Sequence, residues 1–453
     1  MRGQHCRLGS LYPDLTVSNN TLKQDTLTMQ HSSHETNIED RLDSILTTRR
    51  NFLFNTGKIT LLASLGMFGA GCEAVNQGLL DRGLMPVVLE DLQAAGLPKP
   101  DMLVHSQSPF NGEFAPHLLN DDVTPTDKHF VRNNSGVPER AINQDLNGWK
   151  LVIDGEVHKK LALSMEDLQQ FPQVTMEVVL ECAGNGRSLF MPEVSGTPWQ
   201  RGAVACSEWT GVRLRDVLQA ADIKPSAVYT GNYGEDIPND GSEQFSRGIP
   251  IEKAMDEHTL IALKMNGEVL PDAHGFPARL IVPGWIGSAM QKWLNRIWVR
   301  DKVHDSEKMS GYSYRIPKYP IEPGNNPPIE DMQIATAWRV KSLITQPQPS
   351  LEFSVGIPIS VRGHAWAGEN RIEKVLVSTD FGIKWQETVL MPPSNRYAWS
   401  HWGTELTFAN KGYYEIWARA YDDEGNTQPF IQPWNPKGYL GNVIHRVPVI
   451  ITT

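Results

Sequence analysis

In the stretch "LECAGNGRS", Leu180 to Ser188, a cysteine stands where an apolar run gives way to a glycine-rich turn. Cys182 is either a buried packing residue at a strand end or a thiolate kept ionised beside Arg187 and able to hold a soft metal. Four other stretches carry polar groups that could work with it. "KHFVRNNSGVPE" holds Phe130, Arg132, Asn133 and Asn134; "MNGEVLPDAHGFPARLIVPG" holds His274 and Arg279. "GSAMQKWLNRIWV" holds Gln291 and Lys292, and "MSGYSYR" offers Tyr312 and Tyr314. Taken singly, each has a plain structural role: a surface ion pair, a hydrogen-bonded loop histidine, a snorkelling lysine, a tyrosine at a domain boundary.

The elements that must position these residues follow from pattern. "VTMEVVLEC" reads as a strand running into Cys182, "WKLVIDGEV" as an alternating strand that closes on a turn. "ARLIVPGW" and "NRIWVRD" read as buried strands. "SMEDLQQF" and "RLRDVLQAA" read as short helices, the first with Ser164 as its N-cap before an acidic first turn. Residues 73–125 are punctuated by "GLPKPD", "SQSPFNGEF" and "DDVTPTD" and read as loop. "GNNPP" then breaks the pattern, and "VKSLITQPQP" reads as a linker strand. Beyond residue 345, five strand candidates lie at short spacing: "PISVRGHAWA", "IEKVLVSTD", "WQETVLM", "WSHWGTELTF" and "YYEIWARAYDDEGN". Short strands separated by turns such as Asp380 to Gly382 predict an antiparallel sandwich of immunoglobulin type, without a cysteine pair to staple it.

The 453 residues carry 52 acids against 42 bases, a net charge of -10 that argues against a general nucleic-acid binder. Cys6, Cys72, Cys182 and Cys206 are too few for a disulfide scaffold, and no C-x-x-C or C-x-x-C-H occurs, so the chain lacks a site for covalent c-type haem. A Cys182–Cys206 disulfide stays open as an alternative for an exported protein. The polar first 46 residues lack a steady apolar period. "TTRRNFLF", with Arg49 and Arg50, precedes a modest Gly- and Ala-rich apolar run that resembles a twin-arginine export signal, too short to span a membrane comfortably. That predicts a periplasmic protein with no membrane span in its mature chain. Met29 is the more natural start, and Cys72 sits where a lipid-anchored cysteine would.

In their order and register, "HFVRN", "LECAGNGRS", "SEWTGVRL", "MNGEVLPDAHGFPARLIVPG", "KWLNR", "LITQP", "RGHAWAG" and "WNPKGYLGNVIHRV" are similar to the sulfite oxidase family of molybdenum-cofactor enzymes, in particular its haem-free bacterial members. The resemblance runs from about Leu118 to the end. It implies an α+β fold: a mixed α/β sulfite-oxidase-type molybdopterin domain over 73–335, then an all-β immunoglobulin-like dimerisation sandwich over 336–453, with 1–72 as extension and export signal. It implies that Cys182 is the thiolate ligand of molybdenum, beside the dithiolene sulfurs of one pyranopterin. Phe130, Arg132, Asn133, Asn134, Asp236, His274, Arg279, Gln291 and Lys292 would bind the molybdopterin, with register least secure at Asp236. Tyr312 would face the reacting oxygen, with Tyr314 as the other choice. Arg132, Arg187 and Lys437 would gather positive charge for the anion, and Trp199 would line its pocket.

The implied reaction is oxidation of sulfite to sulfate by oxygen-atom transfer, with electrons passing to a separate c-type cytochrome; a homodimer is implied by the sandwich. The chain departs from the vertebrate-like pattern at Asn134, where a histidine is usual, at Gly186, where a second arginine is usual, and at Lys437, where the family's basic residue loses the arginine fork. These changes fall on the anion pocket, so two rivals stand: a related molybdenum enzyme acting on a carrier-bound sulfane or an S- or N-oxide, and a metal-free secreted binding protein.

Overall fold

The run that ends in Cys182 forms the nine-residue strand Gln173–Glu181, which pairs antiparallel with Val204–Arg213 from Gln173 opposite Val212 to Glu181 opposite Val204. Side chains alternate across a strand. Here Val178 and Leu180 enter one apolar cluster, with Trp199 and Trp209, while Val179 enters a second, with Phe114, Tyr314 and Trp399. Both faces are covered over residues 178–181, the end that runs into Cys182, while Gln173 and Thr175 are exposed. Leu260–Met265 extends this sheet antiparallel to Val204–Arg213 and pairs on its other side with Glu268–Val269 and Arg279–Ile281.

This computed structural model describes residues 97–453 except 237 and 239–242. The stretch expected to be an export signal, with Arg49 and Arg50, and Cys6 and Cys72 lie outside the described residues. A second five-stranded sheet runs in the order Leu161–Leu163, Leu151–Gly155, Leu294–Arg300, Tyr229–Gly234 and Ser246–Pro250, with one parallel pair at its centre. Helices are few and short. Met165–Gln169 starts at a capping box in which Ser164 and Asp167 satisfy each other's backbone amides, and Leu214–Ala220 buries Leu214, Val217 and Leu218. No described helix is long and apolar enough to cross a membrane. The architecture is therefore mixed α and β with sheets dominant, followed by an all-β C-terminal part.

Three expectations need correction. The stretch read as loop contains the hairpin Leu103–Gln107 and Phe110–Glu113, to which Val131–Arg132 adds a third strand. These strands are too short and too polar for an alternation to register. Lys341–Gln346, read as a linker, is a full member of the sandwich, paired with Ile359–Trp366. "WQETVLM" is divided at Thr388: Gln386–Glu387 joins Ile372–Ser378 in one sheet, Val389–Leu390 joins Ser400–Leu406 in the other.

The sandwich packs Lys341–Gln346, Ile359–Trp366, Ser400–Leu406 and Val389–Leu390 against a sheet of Glu352–Ser354, His445–Thr452, Gly412–Asp422, Ile372–Ser378 and Gln386–Glu387. Glu352–Ser354 runs parallel to His445–Thr452, so the sandwich is not wholly antiparallel. Its core is Val361, Val375, Trp402, Ile416, Val449 and their neighbours. Each such side chain, fully buried, contributes about 1.5–3 kcal/mol.

Candidate active site

Cys182 is the first residue after its strand, and the chain turns at once. Its amide donates to the Ala203 carbonyl (2.9 Å), and its own carbonyl accepts from the Asn185 amide (2.8 Å). Gly186 sits at φ 85°, a left-handed position that costs a glycine little. Cys182 is 9% exposed and lies on the wall of a cleft of about 650 Å³, with His129, Phe130, Arg132, Asn134, Asp236, His274, Arg279, Ser288, Gln291, Lys292, Trp293 and Tyr314 around it. Two of these, Trp293 (φ 51°) and Tyr314 (φ 55°), hold left-handed backbone that costs a non-glycine residue about 1–2 kcal/mol.

One side of the cleft is cationic. The Lys292 ammonium donates to Asn133 Oδ1 and to the Ala273 carbonyl (2.9 Å), and lies 4.1 Å from the centre of the Trp293 ring. Arg279 donates to the His274 carbonyl (3.1 Å) and lies over Trp209 at 5.3 Å. Arg132 donates to the Asn133 carbonyl and to Asn134 Oδ1 (2.6 Å). Lys99, from a segment the sequence reads as loop, reaches His274 Nε2 at 2.8 Å. Burial, with Arg279 beside it, holds the Lys292 ammonium well below its ordinary pKa. Burial pulls Arg279 down to about 9. His129 and His274 are held well below the usual imidazole range by burial and by the Lys99 charge.

Asp236 lies on the same wall, 3% exposed and 3.5 Å from Gln291 Nε2, its carboxyl pushed up to about 7 by burial against the pull of Lys292.

Several buried atoms here have no partner among the described residues: His129 Nε2, Asn133 Nδ2, Arg279 Nε, Ser288 Oγ and Gln291 Oε1. Orphaned buried polar groups each cost about 1–3 kcal/mol, so a set converging on one cleft marks the outline of a polar ligand. Clustered cations with so few acids mark that ligand as an anion. The molybdopterin implied by the resemblance fits both features, and Arg279 and Lys292 would be placed to meet its phosphate. Among the described residues no three His, Cys, Asp or Glu side chains converge to hold an ion alone, so a metal at Cys182 would need further ligands from such a bound group.

The structure thus brings Cys182, Phe130, Arg132, Asn134, Asp236, His274, Arg279, Gln291 and Lys292 together, with Asn133 directly behind Lys292. It leaves four expected residues off the cleft wall. Tyr312 turns away and donates to the Pro327 carbonyl (2.8 Å). Tyr314 takes the place on the wall, its ring stacked on Tyr439 at 5.3 Å and 4.9 Å from the Arg247 guanidinium. Arg187 is buried and spends its guanidinium on the carbonyls of Thr197 (2.8 Å) and Lys437 (3.0 Å). Gly184 and Gly438 make its room: a Cβ on either would come within 2.3 and 2.8 Å of the arginine side chain. Lys437 is half-buried and meets Arg187 through its carbonyl, not its ammonium. Trp199 is fully buried behind Phe130, with ring centres 6.3 Å apart. The alternative disulfide is not formed: Cys182 and Cys206 are both free, and burial pushes the Cys206 thiol up to about 12.

Sequence reasoning missed Lys99, His129 and Ser288. His129 stands next to Phe130 in a stretch already singled out; Lys99 and Ser288 have no local signal, because only the fold brings them here.

Residues 135–308 match the oxidoreductase molybdopterin binding domain, and residues 332–452 match the Mo-co oxidoreductase dimerisation domain. Mitochondrial sulfite oxidase of Rattus norvegicus is 35% identical over 370 residues, 77% of this chain and 66% of that protein. Sulfite oxidase of Gallus gallus is 33% identical over 367 residues, 77% of each. Among solved structures, the sulfane dehydrogenase SoxCD from Paracoccus pantotrophus is similar with a TM-score of 0.65 at 29% identity, over 76% of this chain and 85% of that one.

Proposed function

The chain belongs to the sulfite oxidase family of molybdopterin oxidoreductases, and from that premise we propose that it oxidises sulfite to sulfate and passes the electrons singly to an external c-type cytochrome. The observation that carries this reading is the Cys182 thiol on the wall of a cleft lined by cations and orphaned polar atoms. When bound, a molybdenum dithiolene would supply two-electron redox chemistry and oxygen-atom exchange. The chain's own residues do the rest. Cys182 offers one soft, anionic sulfur to the metal. Lys292 and Arg279 would hold the phosphate, and Asp236 and Gln291, whose Oε1 has no partner among the described residues, would face the pterin's polar edge. Arg132, half-buried and bonded to no carboxylate among the described residues, supplies the fixed charge that draws an oxyanion into a net-negative protein. Tyr314 offers a hydroxyl near the sulfur's side of the cleft.

A second reading has an observation in its favour. With Arg187 committed to two carbonyls outside the cleft, one of the two arginines expected to hold the oxyanion does not line it. A larger, carrier-bound sulfane would depend less on that charge, and the likeness to a sulfane dehydrogenase agrees. We also place the mature protein in the periplasm as a homodimer, on the strength of the twin-arginine stretch and the dimerisation-domain match. The deciding experiment combines molybdenum and pterin analysis with sulfite-dependent reduction of cytochrome c. Molybdenum present with no rate on sulfite, but turnover on a thiol-bound sulfane, would transfer the assignment to the second reading; absence of molybdenum from active protein would remove both.

A further inference from the structure

Glu181, the residue before Cys182, is fully buried and points away from the cleft. Its Oε1 accepts from the Lys341 ammonium and from Asn185 Nδ2 (2.9 Å), and its Oε2 accepts from Trp366 Nε1 (2.8 Å). Lys341 and Trp366 both belong to the sandwich, where Lys341 is paired opposite Trp366. Asn185 belongs to the cysteine turn itself and closes it, its amide bonded to the Cys182 carbonyl. The sandwich therefore delivers a charge to the back of the residue that precedes the sulfur. Lys341 is buried as well, 7% exposed. Burial lowers its pKa and Glu181 opposes that; a charge on Cys182 also acts on it, which sets the ammonium and the sulfur within each other's field.

A buried ion pair of this kind is weak evidence of stability. Desolvation takes back most of the Coulomb gain, and neutral groups of the same shape often hold a fold as well. Between buried charges, however, the field is barely screened by salt. We propose that Lys341 is a positioning residue for the Cys182 sulfur: with Glu181 it sets the electrostatic potential there, and so the reduction potential of the metal that the sulfur would hold. This rests on the reading of Cys182 as the molybdenum ligand. A cation nearby disfavours the more positive, oxidised metal, so Lys341 raises the potential and Glu181 lowers it.

The test is a redox titration of the loaded enzyme followed by the Mo(V) paramagnetic signal, with molybdenum content measured for each variant. Lys341→Gln weakens the one-electron reduction equilibrium by at least about threefold, roughly 30 mV at 59 mV per tenfold. Lys341→Arg keeps the wild-type midpoint, and Glu181→Gln moves it upward. Midpoints that stay put, or that shift the same way in Lys341→Gln and Glu181→Gln at full molybdenum content, overturn the proposal and leave the pair as a clamp between domains. Where Lys341→Gln fails to hold molybdenum, Glu181→Gln decides alone: a rise supports, no change or a fall overturns. Wild-type protein without molybdenum points instead to failure of the functional reading.

Discussion

The Lys99 ammonium lies 2.8 Å from Nε2 of His274 and also donates to the carbonyls of Thr126 (2.6 Å) and His129 (2.7 Å). Burial pulls its pKa from 10.5 down to about 7, with Asp127 and Asp272 resisting. The folded, cofactor-free chain therefore binds fewer protons than the unfolded chain between pH 7 and the ordinary lysine range, and its stability rises with pH across that window. Melting temperatures of the cofactor-free protein at steps from pH 7 to 9 are expected to climb. Lys99→Met flattens the climb, and a climb unchanged in that variant would exclude Lys99 as its source.

Among the described residues Arg132 has no carboxylate partner; it donates to the Asn133 carbonyl and Asn134 Oδ1. Loss of one charge-assisted contact to an anion costs about 1.5–3 kcal/mol, or about ten- to a hundredfold. Arg132→Gln should raise the KM for sulfite by that factor while molybdenum content holds. Loss of the metal in this variant would make its role structural.

Tyr314 lines the cleft and Tyr312 is tied to Pro327. Tyr314→Phe is expected to lower kcat/KM about tenfold, the worth of one hydrogen bond near the reacting atoms, and Tyr312→Phe to leave it within about twofold. Steady-state kinetics of the two variants side by side would reverse the assignment if the losses were exchanged.

The two described cysteines should behave as opposites. Cys182→Ser is expected to purify without molybdenum and without turnover. Cys206, buried in the second apolar cluster with its thiol held protonated, stays inert to iodoacetamide in the native fold, and Cys206→Ala keeps full activity. Unchanged turnover in Cys182→Ser would end the metal assignment.

Much of this was legible in the sequence, for identifiable reasons. Gln173–Glu181 announced itself through its end, residues 178–181, which is buried on both faces, and the Met165–Gln169 helix because Ser164 and Asp167 form its cap. Most residues of the cleft wall could be read because they sit in the short runs that carry the family resemblance. What could not be read depends on where side chains turn after the chain has folded. Tyr312 and Tyr314 are two residues apart, and only the backbone at Tyr314 decides which one faces the cleft. Arg187 follows Cys182 closely in sequence, yet Gly184 and Gly438 open a berth for it outside the cleft. Lys99 is distant in sequence from His274, and no periodicity links them.

The hairpin that precedes the matched domain has a practical consequence. The recognised oxidoreductase segment begins at residue 135, whereas Lys99, His129, Phe130, Arg132, Asn133 and Asn134 all come earlier, on or beside the strands that pair with Val131–Arg132. A gene trimmed at the segment's edge would yield a shell that has lost part of the seat for its prosthetic group, and its failure would say nothing about what the intact protein does.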